Sequence, residues 1–291
     1  MNATVEKALS EFGSNTYSQY GEDGILEECL SRISRSTALN KWCVEFGAWD
    51  GVYLSNTCKL IRENGYSAVL VEGDADRFKE LQRNLPEDRV LKFCRWVSLS
   101  GEGRLETILA ETPIPQDFDV LSIDIDSCDW HVWNSIETYR PKIVCIEFNP
   151  TIPNCVSYVQ PADFSIRHGN SARALCDLAG QKGYDLVAAT DVNLIFVESA
   201  LSDAVIGNDK PTLEQLRSED KHVSYVFAGY NGEILSTGPV KALWHGMQHG
   251  PKSLQLLPAN LHRFPDEYTP WQRLRFRLRR RLRRARYGKD G

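Results

Sequence analysis

No run of about eighteen apolar residues occurs in the 291-residue sequence, so no segment reads as a bilayer-spanning helix. The first ten residues lack the basic and apolar regions of a secretory leader. Together these absences predict a cytoplasmic protein. No C-x-x-C pair exists among the eight cysteines, which are scattered at 29, 43, 58, 94, 128, 145, 155 and 176, several inside predicted strands or helices. They read as small buried thiols and not as zinc ligands or a disulfide framework. The composition of disorder is also missing, because 42% hydrophobic content suffices for a full core.

The stretch Trp42-Cys-Val-Glu-Phe-Gly-Ala-Trp-Asp-Gly51 organises the rest. Trp42 to Phe46 reads as a short buried strand, and Gly47 to Gly51 as a turn into a helix. Such a turn lets a ligand approach bare backbone and the free N–H groups of a helix start. A dinucleotide fingerprint requires three glycines as G-x-G-x-x-G, and here only Gly47 and Gly51 are present. Glu45 and Asp50 flank them. Two carboxylates would repel a pyrophosphate and would suit a cofactor with a charged amine and no phosphate, as in S-adenosylmethionine. The alternative is an ordinary strand-to-helix turn. Ser67 to Val71 forms a second apolar strand and ends at Glu72, where an acid can accept ribose hydroxyls.

The segments Ser18-Gln-Tyr-Gly-Glu-Asp-Gly24, Val44-Glu-Phe-Gly-Ala-Trp-Asp-Gly51, Leu70-Val-Glu-Gly-Asp74 and Leu121-Ser-Ile-Asp-Ile-Asp126 carry a resemblance to class I S-adenosylmethionine-dependent methyltransferases. Within that class the chain resembles the FkbM-like sugar O-methyltransferases. The resemblance spans about residues 17 to 200 and implies a Rossmann-like fold and methyl transfer to a hydroxyl of a saccharide or glycoconjugate. It also implies that the segment before the first strand folds over the cofactor, so that Gln19 reaches it. The bland reading there is a helix cap.

The alternation of patterns predicts a doubly wound α/β sheet. Expected strands are 42–47, 67–72, 90–97, 118–124, 142–148, 185–190 and 193–199; expected helices are 53–64, 75–84, 101–111, 129–138 and 171–182. Asp191-Val192 is too short for a parallel crossover, so the last two strands should form an antiparallel edge hairpin. The switch-point rule puts the ligand at the carboxyl ends of the strands, where Glu45, Glu72, Asp124 and Glu147 fall.

Asp124, Asp126 and Asp129 crowd the end of one strand, and Glu147 and Asn149 the end of the next. Like charges so close raise one another's pKa unless a cation or donors absorb them. Carboxylate and amide oxygens are hard ligands, so Asp124, Asp126, Glu147 and Asn149 form a candidate Mg²⁺ or Mn²⁺ site. The same carboxylates could instead bind substrate hydroxyls or cap a helix. Asp124, Asp126 and His131 are the candidate bases, Asp124 also bordering the cofactor; the bland reading makes His131 a packed residue. Residues 150–170 lack periodicity and read as a lid that presents Tyr158, Arg167 and His168 to an acceptor.

Residues 201–221 read as a polar excursion leaving the core. An Asn231-Gly232 turn then joins a hairpin of 222–230 and 233–237, with Leu243-Trp-His-Gly246 expected to anchor it, the alternative being that its Trp and His line an acceptor site. The net charge of −5 conceals a division: nine arginines follow Trp271, while residues 1–270 hold 24 basic and 38 acidic groups. Trp271, Leu274, Leu278, Leu282 and Ala285 recur at helical spacing, predicting a basic amphipathic helix. Its partner is an anionic membrane through residues 271–291, the acidic body itself, or nucleic acid. A membrane partner would make the protein peripheral on an inner membrane face. The expected organisation is a helical cap at 1–40, a core at 41–200, a hairpin extension at 201–262 and the basic tail at 263–291.

Overall fold

The computed structural model describes residues 7–288. The chain divides into two compact units after Glu219.

The first unit is built on seven strands: β1 (Trp42–Phe46), β2 (Ser67–Glu72), β3 (Val90–Cys94), β4 (Val120–Ile123), β5 (Ile143–Glu147), β6 (Tyr184–Ala189) and β7 (Asn193–Glu198). They lie in the order β3-β2-β1-β4-β5-β7-β6, with only β7 reversed. The expected Rossmann-like sheet with an antiparallel edge hairpin is therefore present. The order turns back at β1, between β2 and β4, so the ends of these strands open a crevice there.

Side-chain alternation along each buried strand feeds two separate cores. Val44, Phe46, Leu121, Ile123, Val144 and Ile146 pack against α4 (Leu105–Ala110), α5 (Asp129–Asn134) and α6 (Ala172–Lys182). Cys43, Ala68, Leu70, Val120 and Cys145 pack on the other face, against α1 (Glu22–Ile33), α2 (Cys58–Arg62), α3 (Ala75–Asn84) and α7 (Ser199–Ile206). Several cysteines thus act as small apolar residues, while Cys94 and Cys155 are exposed.

The structure corrects several boundaries. Instead of 53–64, helix occupies only Cys58–Arg62, because Asp50 Oδ1 accepts the N–H groups of Val52 (2.9 Å) and Tyr53 (2.7 Å) and holds that stretch in a turn. The helix expected at 101–111 breaks at Arg104, which is extended between a 3₁₀ turn and α4. The helix expected at 129–138 stops at Asn134. The chain also stays on the core after β7: α7 buries Val205, and a short α8 (Leu213–Leu216) buries Leu213. Buried Arg32 ties α7 to α1, donating to the Val205 carbonyl at 2.6 Å.

In the second unit, β8 (Val226–Ala228) and β9 (Ile234–Ser236) pair around the Asn231-Gly232 turn, shorter than expected. A second hairpin was not foreseen: β10 (Val240–Ala242) pairs with β11 (Met247–His249). Leu243–His245 is the 3₁₀ turn between them, with Trp244 exposed, so the segment joins two strands instead of packing its tryptophan under the first hairpin. The unit ends in α9 (Pro270–Tyr287).

Gly47 shows how tightly the crevice is closed. Its φ is +69°, and a Cβ there would stand 1.8 Å from the backbone oxygen of Asp124. Gly47→Ala is expected to cost about 2 kcal/mol or more, from left-handed strain plus overlap with rigid backbone. Urea unfolding measures it, and a loss below about 0.5 kcal/mol would show that the two strand ends separate freely.

Candidate active site

The site forms where β1, β2, β4 and β5 end. Register decides its chemistry: Ile123 pairs with Ile146, so the next residues, Asp124 and Glu147, come side by side. Asp126 joins them from a backbone held at φ +55°, a conformation that non-glycine residues rarely adopt. Carboxylate oxygens of Asp124, Asp126 and Glu147 all lie within 4.8 Å of one another. Among the described residues no lysine or arginine pairs with them. Burial, with the neighbouring Asp129 and Asp126 charges, pushes Asp124 up to about 8. Burial and the Asp124 charge hold Glu147 well above the usual carboxylate range.

The other candidates separate into distinct roles. Asp129 is buried and shapes the loop, accepting the N–H groups of Ile125 (2.9 Å) and Ser127 (3.1 Å). Asn149 turns its amide away from the cluster: Nδ2 donates to the His168 carbonyl at 2.8 Å, and Oδ1 accepts from Thr151 N (2.9 Å) and Oγ1 (2.7 Å). It fastens the lid and is not placed as a ligand. His131 Nε2 donates to the Gln160 carbonyl at 2.7 Å, which removes that nitrogen as a base. It too holds the lid.

Glu45 is buried under the crevice and does not border it. Its carboxylate accepts from Ser55 Oγ (2.6 Å), Asn56 N (2.8 Å) and Thr57 Oγ1 (2.8 Å), organising the connection from β1 to α2. Burial raises its pKa while these donors oppose the rise. Glu72 is different. Each of its oxygens accepts one backbone N–H, from Trp49 (2.8 Å) and from Asp74 (2.7 Å), so about two of its four acceptor positions remain. Asp50 caps the turn after Gly51, whose own Cβ would meet Leu81 and Leu85.

Sequence patterns missed the tryptophans. Trp96 is 72% exposed and its ring lies over Gly73, where a Cβ would come within 2.3 Å of it. Trp49, also exposed, lies beneath the Arg77 guanidinium at 4.1 Å. Both border Glu72 and offer flat apolar faces. Chain position gave no sign of this, because Trp96 follows a strand whose place beside β2 is known only from the sheet order.

Two loops complete the rim. Glu22 reaches from α1 to the β6–β7 turn, accepting from Thr190 Oγ1 (2.7 Å) and Asn193 Nδ2 (3.0 Å). Asn193 in turn pairs with Glu147. Gln19, on the loop before Glu22, is exposed. The lid, residues 150–170, is organised by buried Gln160, whose amide bonds Ser127 Oγ (3.2 Å) and the Ile166 carbonyl (3.0 Å) and accepts from His168 and Gly169. Tyr158 and His168 form an exposed pair at 2.7 Å. Arg167 is exposed beside them and pairs with no described residue.

No protein-family model matches the chain. No curated protein matches it either. Several solved structures do at low identity. A TehB-like SAM-dependent methyltransferase from Corynebacterium glutamicum is 11% identical over 65% of this chain and 92% of its own, with a TM-score of 0.36. The O-methyltransferase from Bacillus cereus in complex with SAH is 14% identical over 60% and 90%, with a TM-score of 0.39. The glycopeptide N-methyltransferase MtfA complexed with SAM is 12% identical over 62% and 94%, with a TM-score of 0.35. At these scores no residue role is carried over from them.

The raised carboxylates make stability depend on pH. Between the ordinary aspartate pKa and about 8, the folded metal-free protein keeps a proton on Asp124 that the unfolded chain has lost. Stability therefore falls as pH rises through that window, by up to about 1.4 kcal/mol per unit for one proton. Asp124→Asn is expected to flatten the decline and to be the more stable protein at pH 8. Urea unfolding at pH 5 and pH 8 checks it; equal slopes would place the charge burden elsewhere.

Proposed function

We propose that this chain transfers a methyl group from S-adenosylmethionine to a hydroxyl oxygen of a saccharide or glycoconjugate. The observation that carries the reading is Glu72, with acceptor capacity to spare, between the Gly47–Gly51 turn and exposed Trp96, at a sheet edge that also carries the Asp124, Asp126 and Glu147 carboxylates. A phosphate-bearing dinucleotide would meet carboxylates there, whereas a sulfonium and an ammonium are matched by them. The saccharide is inferred from the sequence resemblance alone.

The cofactor supplies an electrophilic methyl carbon on sulfur. Glu72 accepts its ribose hydroxyls, and Trp96 presents a face to its adenine. Asp124 and Glu147 take the proton that the acceptor hydroxyl loses as its oxygen bonds to the methyl carbon; the C–S electron pair stays on sulfur. A positive charge bound beside the pair lowers their pKa values and readies them for that role. Three clustered carboxylates, Asp124 and Glu147 half-buried and Asp126 exposed, also suit a hard divalent ion. If Mg²⁺ or Mn²⁺ is used, Asp124, Asp126 and Glu147 hold it, and it supplies Lewis acidity to the hydroxyl. Tyr158, Arg167 and His168 are the polar groups of the lid that face an acceptor in this reading.

Calorimetry tests the cofactor half. Glu72→Ala should weaken S-adenosylmethionine binding by about 1–3 kcal/mol, and methyl-labelled cofactor should mark a glycan-containing fraction of host extract. Absence of measurable cofactor binding by the intact chain, or a dinucleotide recovered with it, overturns the reading. Exhaustive chelation tests the metal half: with a metal, turnover is lost and returns on adding Mg²⁺ or Mn²⁺ while cofactor affinity holds. Full turnover after chelation leaves Asp124 and Glu147 acting as the base unaided.

A further inference from the structure

The last helix of the second unit presents an unusual surface. Helix α9 begins firmly: Thr269 Oγ1 accepts the Gln272 N–H (3.3 Å), Gln272 Oε1 accepts the Thr269 N–H (3.0 Å), and Pro270 occupies the first turn. One side is seated within the unit. The Phe276 ring packs on Tyr268 with centroids 5.6 Å apart, Gln272 donates to the Asn260 carbonyl, and Arg279 donates to the Leu256 carbonyl. At ~100° per residue these three positions share an arc of about 60°.

On the opposite side Trp271, Leu274, Leu278 and Leu282 fall within about 80° of one another. Within the second unit, among the described residues, they are 76%, 57%, 59% and 62% exposed. Arginines border the row on both sides, Arg275 along one edge and Arg277 and Arg281 along the other. No acidic residue lies between Trp271 and Tyr287.

We propose that α9 binds the surface of an anionic lipid bilayer, lying in the interface with Trp271, Leu274, Leu278 and Leu282 entering the headgroup boundary and the bordering arginines on lipid phosphates. Charge chooses among the occupants. A second copy of the helix would bring two arginine-dense rows together and be repelled. A nucleic acid would engage the arginines but leave the apolar row in water, whereas a bilayer interface takes both.

Sedimentation of the full chain with vesicles tests this. Binding to phosphatidylcholine vesicles containing phosphatidylglycerol should exceed binding to phosphatidylcholine alone and should weaken with salt. Leu274→Gln combined with Leu278→Gln, which leaves the charge unchanged, should reduce it at least tenfold. Arg275→Gln, Arg277→Gln and Arg281→Gln, which retain good helix formers, should each reduce it by roughly fivefold. The proposal falls if the intact protein ignores anionic vesicles at low salt. It falls equally if the double leucine variant binds them as the unmodified chain does, the mark of a purely electrostatic polyanion contact, or if the arginine variants bind unchanged.

Discussion

Parallel register is the constraint on which the candidate site depends. Because β4 and β5 run together in step, the residues that follow Ile123 and Ile146 must emerge side by side, and in this chain both are acids. Hydrogen bonding along the sheet leaves them no freedom to part. The loop then adds Asp126 through a left-handed backbone, and among the described residues no lysine or arginine pairs with the cluster. Strain and like-charge crowding persist together only where the surrounding structure enforces them, and both concentrate here.

Around that cluster the acidic side chains divide between construction and chemistry. Glu45 and Asp129 spend their oxygens on the chain itself, each satisfying donors of an adjoining turn. Glu72 spends half of its capacity and keeps the rest at the crevice. The distinction comes from which turn each carboxylate serves and where it stands on the sheet edge, and it turns a row of carboxylates into one candidate ribose acceptor, one candidate acid–base cluster and two supports. Asn149 and His131 join the supports because they hold the lid by its backbone.

The two units differ in what holds them. The first has a sheet with a dense apolar core on each face. The second buries few large apolar side chains, Val223, Leu261 and Tyr268 among them, and exposes Phe227, Tyr230, Trp244 and the α9 row. Among the described residues no helix is long and apolar enough to cross a membrane. An exposed row bordered by arginines is instead the pattern of a helix that lies on a surface.

By itself the sequence determined the seven strands of the sheet, the reversed β7 and the set of acidic strand ends, because each follows from local rules: apolar alternation, glycine turns, and a connection too short to cross over. It also determined the amphipathic pattern of α9, since helical spacing is a one-dimensional property. Only the tertiary structure decided which acids are free. Glu45 and Glu72 look alike in the chain, yet one meets three donors from a folded turn and the other meets two. Only the structure decided that Asn149 and His131 face the lid, that Trp96 covers Gly73, and that residues 199–216 return to the core. Each of these depends on a contact between segments remote in sequence, and local pattern carries no record of which donor a side chain will find.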